Sequence, residues 1–184
     1  MNKLIKGLAV VGAGLAVAKG IKTKQRYDIA KQQLEDGTVD TWIQEVVGDT
    51  AYEIEPLLGV TGLCTADQSK IYLRLSTEDL LSVALANVDF KDAVQAVAAH
   101  EKGHAVDEEI PTLLQQEKEL KEKGDIEGYA SVVLYREQRA WDLGKQFLSN
   151  HTYYNKFNKN NMQAYKINLL LERLAQKLTK KGRN

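Results

Sequence analysis

The stretch Ala99-His100-Glu101-Lys102-Gly103-His104-Ala105 lies inside a segment, Phe90 to Glu109, whose apolar residues recur at helical spacing. Asp89 is placed to cap the start of that helix, and Pro111 marks its end. Residues four apart advance by one turn plus about 40°, so the imidazoles of His100 and His104 leave one face and can meet a single metal ion. Glu101, beside the first imidazole, is then positioned to take a proton from a metal-bound water. The chain has three histidines in 184 residues and spends two of them here. Gly103 costs about 1 kcal/mol relative to alanine inside a helix, a cost explained if another backbone approaches this face closely.

The partner helix is legible further along. From Asp125 to Ser149 an apolar stripe runs Ala130, Val133, Leu134, Glu137, Trp141, Gly144 and Leu148, and Glu137 interrupts it. A carboxylate on a buried face is costly unless it is paired or bound to a metal. Ala140 and Gly144 are small enough to let this helix lie against the histidine helix. Two histidines and one glutamate form a known catalytic zinc set, with the fourth position open to water. Other acids compete for the third place. Glu108 lies about 12 Å along the axis from His100, too far to share one ion. Asp107 suits a supporting role, accepting an imidazole N–H, or is a solvated acid at a helix end. Arg136 and Arg139 are alternative partners for Glu137, although sequence neighbours point to other faces of a helix.

Upstream of this pair, Ala51 to Leu58 and Lys70 to Leu75 read as strands, with Ile71, Leu73 and Leu75 on one face and Tyr72 and Arg74 on the other. Gly59, Gly62 and the Ala66 to Ser69 stretch supply the turns. Ser76 and Asp79 are spaced to open a helix over Thr77 to Asn87. Helices are also expected over Thr112 to Lys123 and Asn161 to Lys180, with an Asn-rich loop from His151 to Asn161 and no internal repeat. This is an α+β arrangement.

The charges sum to zero, 25 basic against 25 acidic, but they are segregated. Residues 1–31 carry seven basic side chains against Asp28 alone, the last stretch from Lys177 adds four, and residues 32–176 are net −10. The balance argues against a generally basic nucleic-acid binder, and a single cysteine excludes a disulfide framework or a cysteine-rich zinc module. Leu4 to Ile21 is apolar apart from Lys6 and Lys19, and it reaches roughly 27 Å as a helix, enough for a thin bilayer core if both lysines snorkel. Small residues four apart, such as Gly12 and Ala16, suit close helix pairing. The four basic residues from Lys19 to Arg26 resist translocation, so residues 1–26 are expected to associate with a membrane and to leave residues 27–184 cytoplasmic. Export, with Ala16-Val17-Ala18 as a cleavage-like end, is the alternative.

Ala99 to Asp107, followed by Glu137-Gln138-Arg139-Ala140-Trp141, resembles the gluzincin-type zinc metallopeptidases, in which H-E-x-x-H is completed by a glutamate from a later helix, often within E-x-x-A. Small members occur in bacteria and their phages. The resemblance covers about Ile71 to Phe147; the first motif is specific and the second is weak by itself. It implies a small zincin-like domain in which a short β-sheet precedes the active-site helix and further helices, here behind an N-terminal hydrophobic helix. It also implies that His100, His104 and Glu137 bind zinc, that Glu101 is the catalytic base, and that a protein or peptide substrate lies along an edge strand, Lys70 to Leu75. The oxyanion needs a donor, for which Tyr135, His151, Tyr153 and Tyr154 are candidates; His151, the remaining histidine, is the one taken as catalytic. Cys64 reads as core or as an inhibitor of the open zinc position. The alternative function is a non-catalytic, zinc-containing, membrane-associated binding or scaffold protein.

Overall fold

The structure, a computed structural model, describes residues 2–181, with side chains for residues 19–171 and 173–175. Its sheet is built around β3 (Lys70–Leu73). β1 (Ala51–Ile54) pairs with β3 in parallel, Ala51 opposite Lys70 and Ile54 opposite Leu73. β2 (Gly62–Cys64) pairs with it antiparallel, Gly62 opposite Leu73 and Cys64 opposite Ile71. The alternation read from the sequence holds, since Ile71 and Leu73 are buried while Tyr72 and Arg74 are half-buried. The position and length do not hold: the strand expected over Lys70 to Leu75 stops at Leu73 and is central, and β2, taken as part of a turn, is an edge. Three residues are too few to display a period. β1 stops before Pro56, which has no N–H to give a ladder, and a turn in which Leu58 N–H donates to Glu55 C=O follows.

The helices start where short polar side chains satisfy free N–H groups. For α3 (Thr77–Ala86), Ser76 Oγ accepts from Asp79 N–H and the Asp79 carboxylate accepts from Ser76 N–H, a complete capping box. Arg74 donates twice to the same carboxylate, at 3.0 and 2.9 Å, which ties the end of β3 to α3. Asp89 caps α4 (Phe90–Ala105) through Asp92 N–H. α4 ends at Ala105, four residues short of the expected Glu109, because Pro111 does not terminate it. Pro111 sits in the first turn of α5 (Ile110–Glu122), where a missing N–H has no partner to lose. Asp125 caps α6 (Ile126–Gly144), and a short 3-10 turn, Lys145–Phe147, follows.

The expected loop from His151 to Asn161 is helical instead. α7 runs unbroken over Thr152–Lys181. Asparagine disfavours helix interiors, but Tyr154 from this stretch and Met162 just beyond it are in the core, Tyr153 and Phe157 pack against it, and this burial overrides the propensity. α1 (Asn2–Glu35) passes residue 26 without a break, and its C-terminal part reaches α2 (Thr38–Val47) and α3. The apolar N-terminal segment falls largely on residues 2–18, whose side chains lie outside the described residues. Among the described residues no helix is long and apolar enough to cross a membrane.

α4 is the axis of the fold, packed against α2 and the sheet and, most extensively, against α6. The α4–α6 contact is a backbone contact. A Cβ at Gly103 would collide with the carbonyl of Ala140, and one at Gly144 would collide with the carbonyl of Ala99 and the hydroxyl of Tyr154. This is the close approach that the small residues at 103, 140 and 144 forecast. Gly103→Ala is therefore expected to lower stability by about 3 kcal/mol despite the better helix propensity of alanine. Urea unfolding followed by circular dichroism measures it, and an unchanged or raised midpoint would show that the helices can separate without cost.

Candidate metal centre

His100 and His104 leave α4 on the face turned to α6, and Glu137 leaves α6 towards them. The three residues are 7, 7 and 3 % exposed. One ligand atom from each lies within 4.8 Å of the others, the only such group of three among the described residues. Glu137 Oε2 is 3.3 Å from His100 Nε2, and Oε1 is 3.7 Å from His104 Nε2. Trp141, one turn beyond Glu137, stacks on the His100 ring with centroids 4.2 Å apart and holds its orientation. The two imidazoles meet edge to face at 4.8 Å. Two ring nitrogens and a carboxylate converging at one buried point is donor chemistry that could hold a divalent metal ion.

The local electrostatics fit a cation. Burial, against the opposing pull of the Glu137 carboxylate, lowers the proton affinity of His100 below the ordinary imidazole value. Burial would raise the Glu137 carboxyl, but the two imidazoles facing it hold it well below the usual carboxylate range. Glu137 Oε2 is buried and has no hydrogen-bond partner, an orphan that an ion in the cluster would satisfy. Glu101, 5 % exposed, points into the same space. Burial first, and then the Glu137 charge, push its carboxyl up to about 8, against the opposing pull of the Cys64 backbone N–H. Gly62 makes room for it: a Cβ there would stand 2.5 Å from Glu101 Oε1. The edge strand β2 thus touches the candidate base directly.

The surroundings differ from the sequence reading in three ways. Asp107 is fully buried and does not support an imidazole; it receives Arg139 Nε and Nη2 at 2.9 and 2.7 Å, and both histidine Nδ1 atoms lack a hydrogen-bond partner. Arg136 does reach Glu137, with Nη1 3.0 Å from Oε1, while its Nε donates to Glu117 of α5 at 2.6 Å. A long arginine bends round the helix, which a face argument from Cβ positions overlooks. The oxyanion candidates lie elsewhere. His151 precedes α7, with Nε2 2.9 Å from Leu148 C=O, and lines neither cavity at the cluster. Tyr135 is on the Arg139 and Glu109 side, Tyr153 stacks on Phe157, and Tyr154 donates to Trp141 C=O in the core.

The residue that sequence reasoning missed is Tyr165 of α7. It lines both cavities that open on the cluster, one of roughly 420 Å³ over His104 and Glu137 and one of roughly 310 Å³ over His100 and Trp141. Burial and the adjacent Glu137 carboxylate raise its hydroxyl above the ordinary tyrosine value. In sequence it belongs to a stripe of leucines; its hydroxyl, which needs a partner once buried, was the available signal. Cys64 also lines the larger cavity, with burial pushing its thiol up to about 12. Gln68, with φ 59°, donates to the carbonyls of His104 and Asp107 at 2.7 and 2.8 Å and pins the end of α4.

Compared with protein-family models, curated proteins and solved structures, the chain matches none of them. The geometry alone makes a stability prediction. Arg139→Ala leaves Asp107 buried without its ion pair and should cost about 2 kcal/mol, less than for a fully buried pair because Arg139 itself keeps some contact with water. Thermal unfolding of the variant checks it; wild-type stability would mean that Asp107 finds another donor.

Proposed function

We propose that the chain is a zinc-dependent metallopeptidase of the gluzincin type. The observation that carries the reading is the convergence of His100, His104 and Glu137 from two helices, with the buried Glu101 lining the same cavity of roughly 420 Å³. His100, His104 and Glu137 would hold the ion. Zinc, when bound, supplies a Lewis acid that acidifies water and polarises a carbonyl. Glu101 accepts a proton from water at a carboxylate oxygen and returns it to the leaving amine nitrogen. Trp141 fixes His100, and Arg136 holds Glu137 from the α5 side. Tyr165 replaces His151 as the group best placed to donate to the oxyanion, since it borders both cavities. β2, rather than Lys70 to Leu75, offers the edge along which an extended peptide substrate lies, because it runs beside Glu101 and, among the described residues, has no strand on its outer side.

A second reading draws on Arg136. By pairing with Glu137 it compensates the buried charge, so the cluster also suits a zinc-containing or metal-free scaffold with no catalysis. Residues 1–26 are proposed, on hydropathy and charge, to associate with a membrane and leave the body cytoplasmic; export remains the alternative.

Metal analysis of the purified chain is expected to give one zinc per chain, lost in His104→Ala. Glu101→Gln should keep the zinc and the fold while hydrolysis of an unstructured protein falls roughly a hundredfold or more. Zinc without hydrolysis in the wild type would favour the scaffold. No zinc, or zinc indifferent to His100, His104 and Glu137, would remove the metal site altogether.

A further inference from the structure

α7 is apolar on two opposite sides. Met162 and Leu169 face the core, whereas Ile167, Leu170, Leu171 and Leu174 are 57, 54, 58 and 57 % exposed. Their spacing, i, i+3, i+4 and i+7, places the exposed set on one stripe about two turns long, and no described residue covers it. A globular surface seldom leaves four adjacent large aliphatic side chains open to water without a partner.

The charge of the helix says which partner. Thr152–Lys181 contains seven lysines and arginines against Glu172 alone, while residues 32–151 contain ten basic and 23 acidic side chains. The basic residues are therefore concentrated on the element that carries the open stripe. At about 100° per residue, Lys159 and Lys166 fall roughly a quarter-turn to one side of it, and both are exposed. Pairing the same stripe on two copies would set like charges against each other, which disfavours a second α7 as the occupant. An apolar face with a lysine flank matches the two layers of an anionic lipid surface, acyl boundary and headgroup.

We propose that the outer stripe of α7 docks in the interface of an anionic bilayer, the helix lying in the membrane plane with Ile167, Leu170, Leu171 and Leu174 in the acyl boundary and the lysines among the headgroups. This contact is separate from the one proposed for residues 1–26 and does not depend on the metal centre. It has a geometric consequence for that centre: Ala164 and Asn168, between the open stripe and the core, line the cavity over His100 and Glu101. Docking along the stripe therefore holds that cavity beside the lipid surface.

A spin label at Leu171→Cys, in the full chain with Cys64→Ala, tests the contact. Vesicles of phosphatidylglycerol with phosphatidylcholine are expected to make the label several-fold less accessible to a water-borne nickel relaxant and more accessible to oxygen, whereas phosphatidylcholine vesicles leave it in water. Adding Leu170→Gln and Leu174→Gln should return the label to water while circular dichroism shows the fold intact. Three results would overturn the proposal: failure of the chain to sediment with the anionic vesicles, a label that stays in water when it does, or a label already shielded before vesicles are added, which would mean that a second copy or the N-terminal segment covers the stripe.

Discussion

Everything at the centre of this protein depends on how closely two helix backbones approach. α4 and α6 touch backbone to backbone at Gly103 against Ala140 and Gly144 against Ala99. A larger residue at either glycine would push the axes apart, and the distance from Glu137 to the two imidazoles would open with them. Side chains of fixed length reach a shared point only when their helices are held at one separation. The glycines that weaken each helix alone are therefore what let the pair act as a single rigid frame.

Within that frame, buried charge is balanced by partners drawn from different elements. Glu137 faces two imidazoles and Arg136, Arg136 is in turn held by Glu117 of α5, and Asp107 is matched by Arg139. Such pairs add little net stability against apolar packing, but each is costly to half-remove, so they fix register rather than strengthen the core. Gln68 does the same for the end of α4, joining the β2–β3 turn to the carbonyls of His104 and Asp107.

How much of this was legible in the chain follows from the range of each interaction. The capping box at Ser76, the cap at Asp89, the alternation at Lys70 to Leu73 and the interrupted stripe at Glu137 are local patterns, and they located α3, α4, β3 and the third member of the cluster. Pro111 was ambiguous because proline both ends a helix and begins one, and only the intervening Asp107 turn decides which. The helical start of α7 was hidden because burial of Tyr153, Tyr154, Phe157 and Met162 outweighs the asparagines around them. β2 and Tyr165 were missed for a related reason: one is a three-residue strand and the other a single hydroxyl in an apolar stripe, and each takes its place from a neighbour distant in sequence.

The bare backbone at Gly62 extends the boundary of the candidate catalytic motif beyond the pentapeptide that defines it. Glu101 fills the volume that any side chain at position 62 would occupy, so the two positions share one space although 39 residues separate them. The two positions therefore constrain each other: a side chain gained at 62 would displace the carboxylate, and a shorter residue at 101 would leave a hole against the strand. Mutational change at the edge of the sheet is thereby tied to the chemistry of the helix, with no contact to the histidines required.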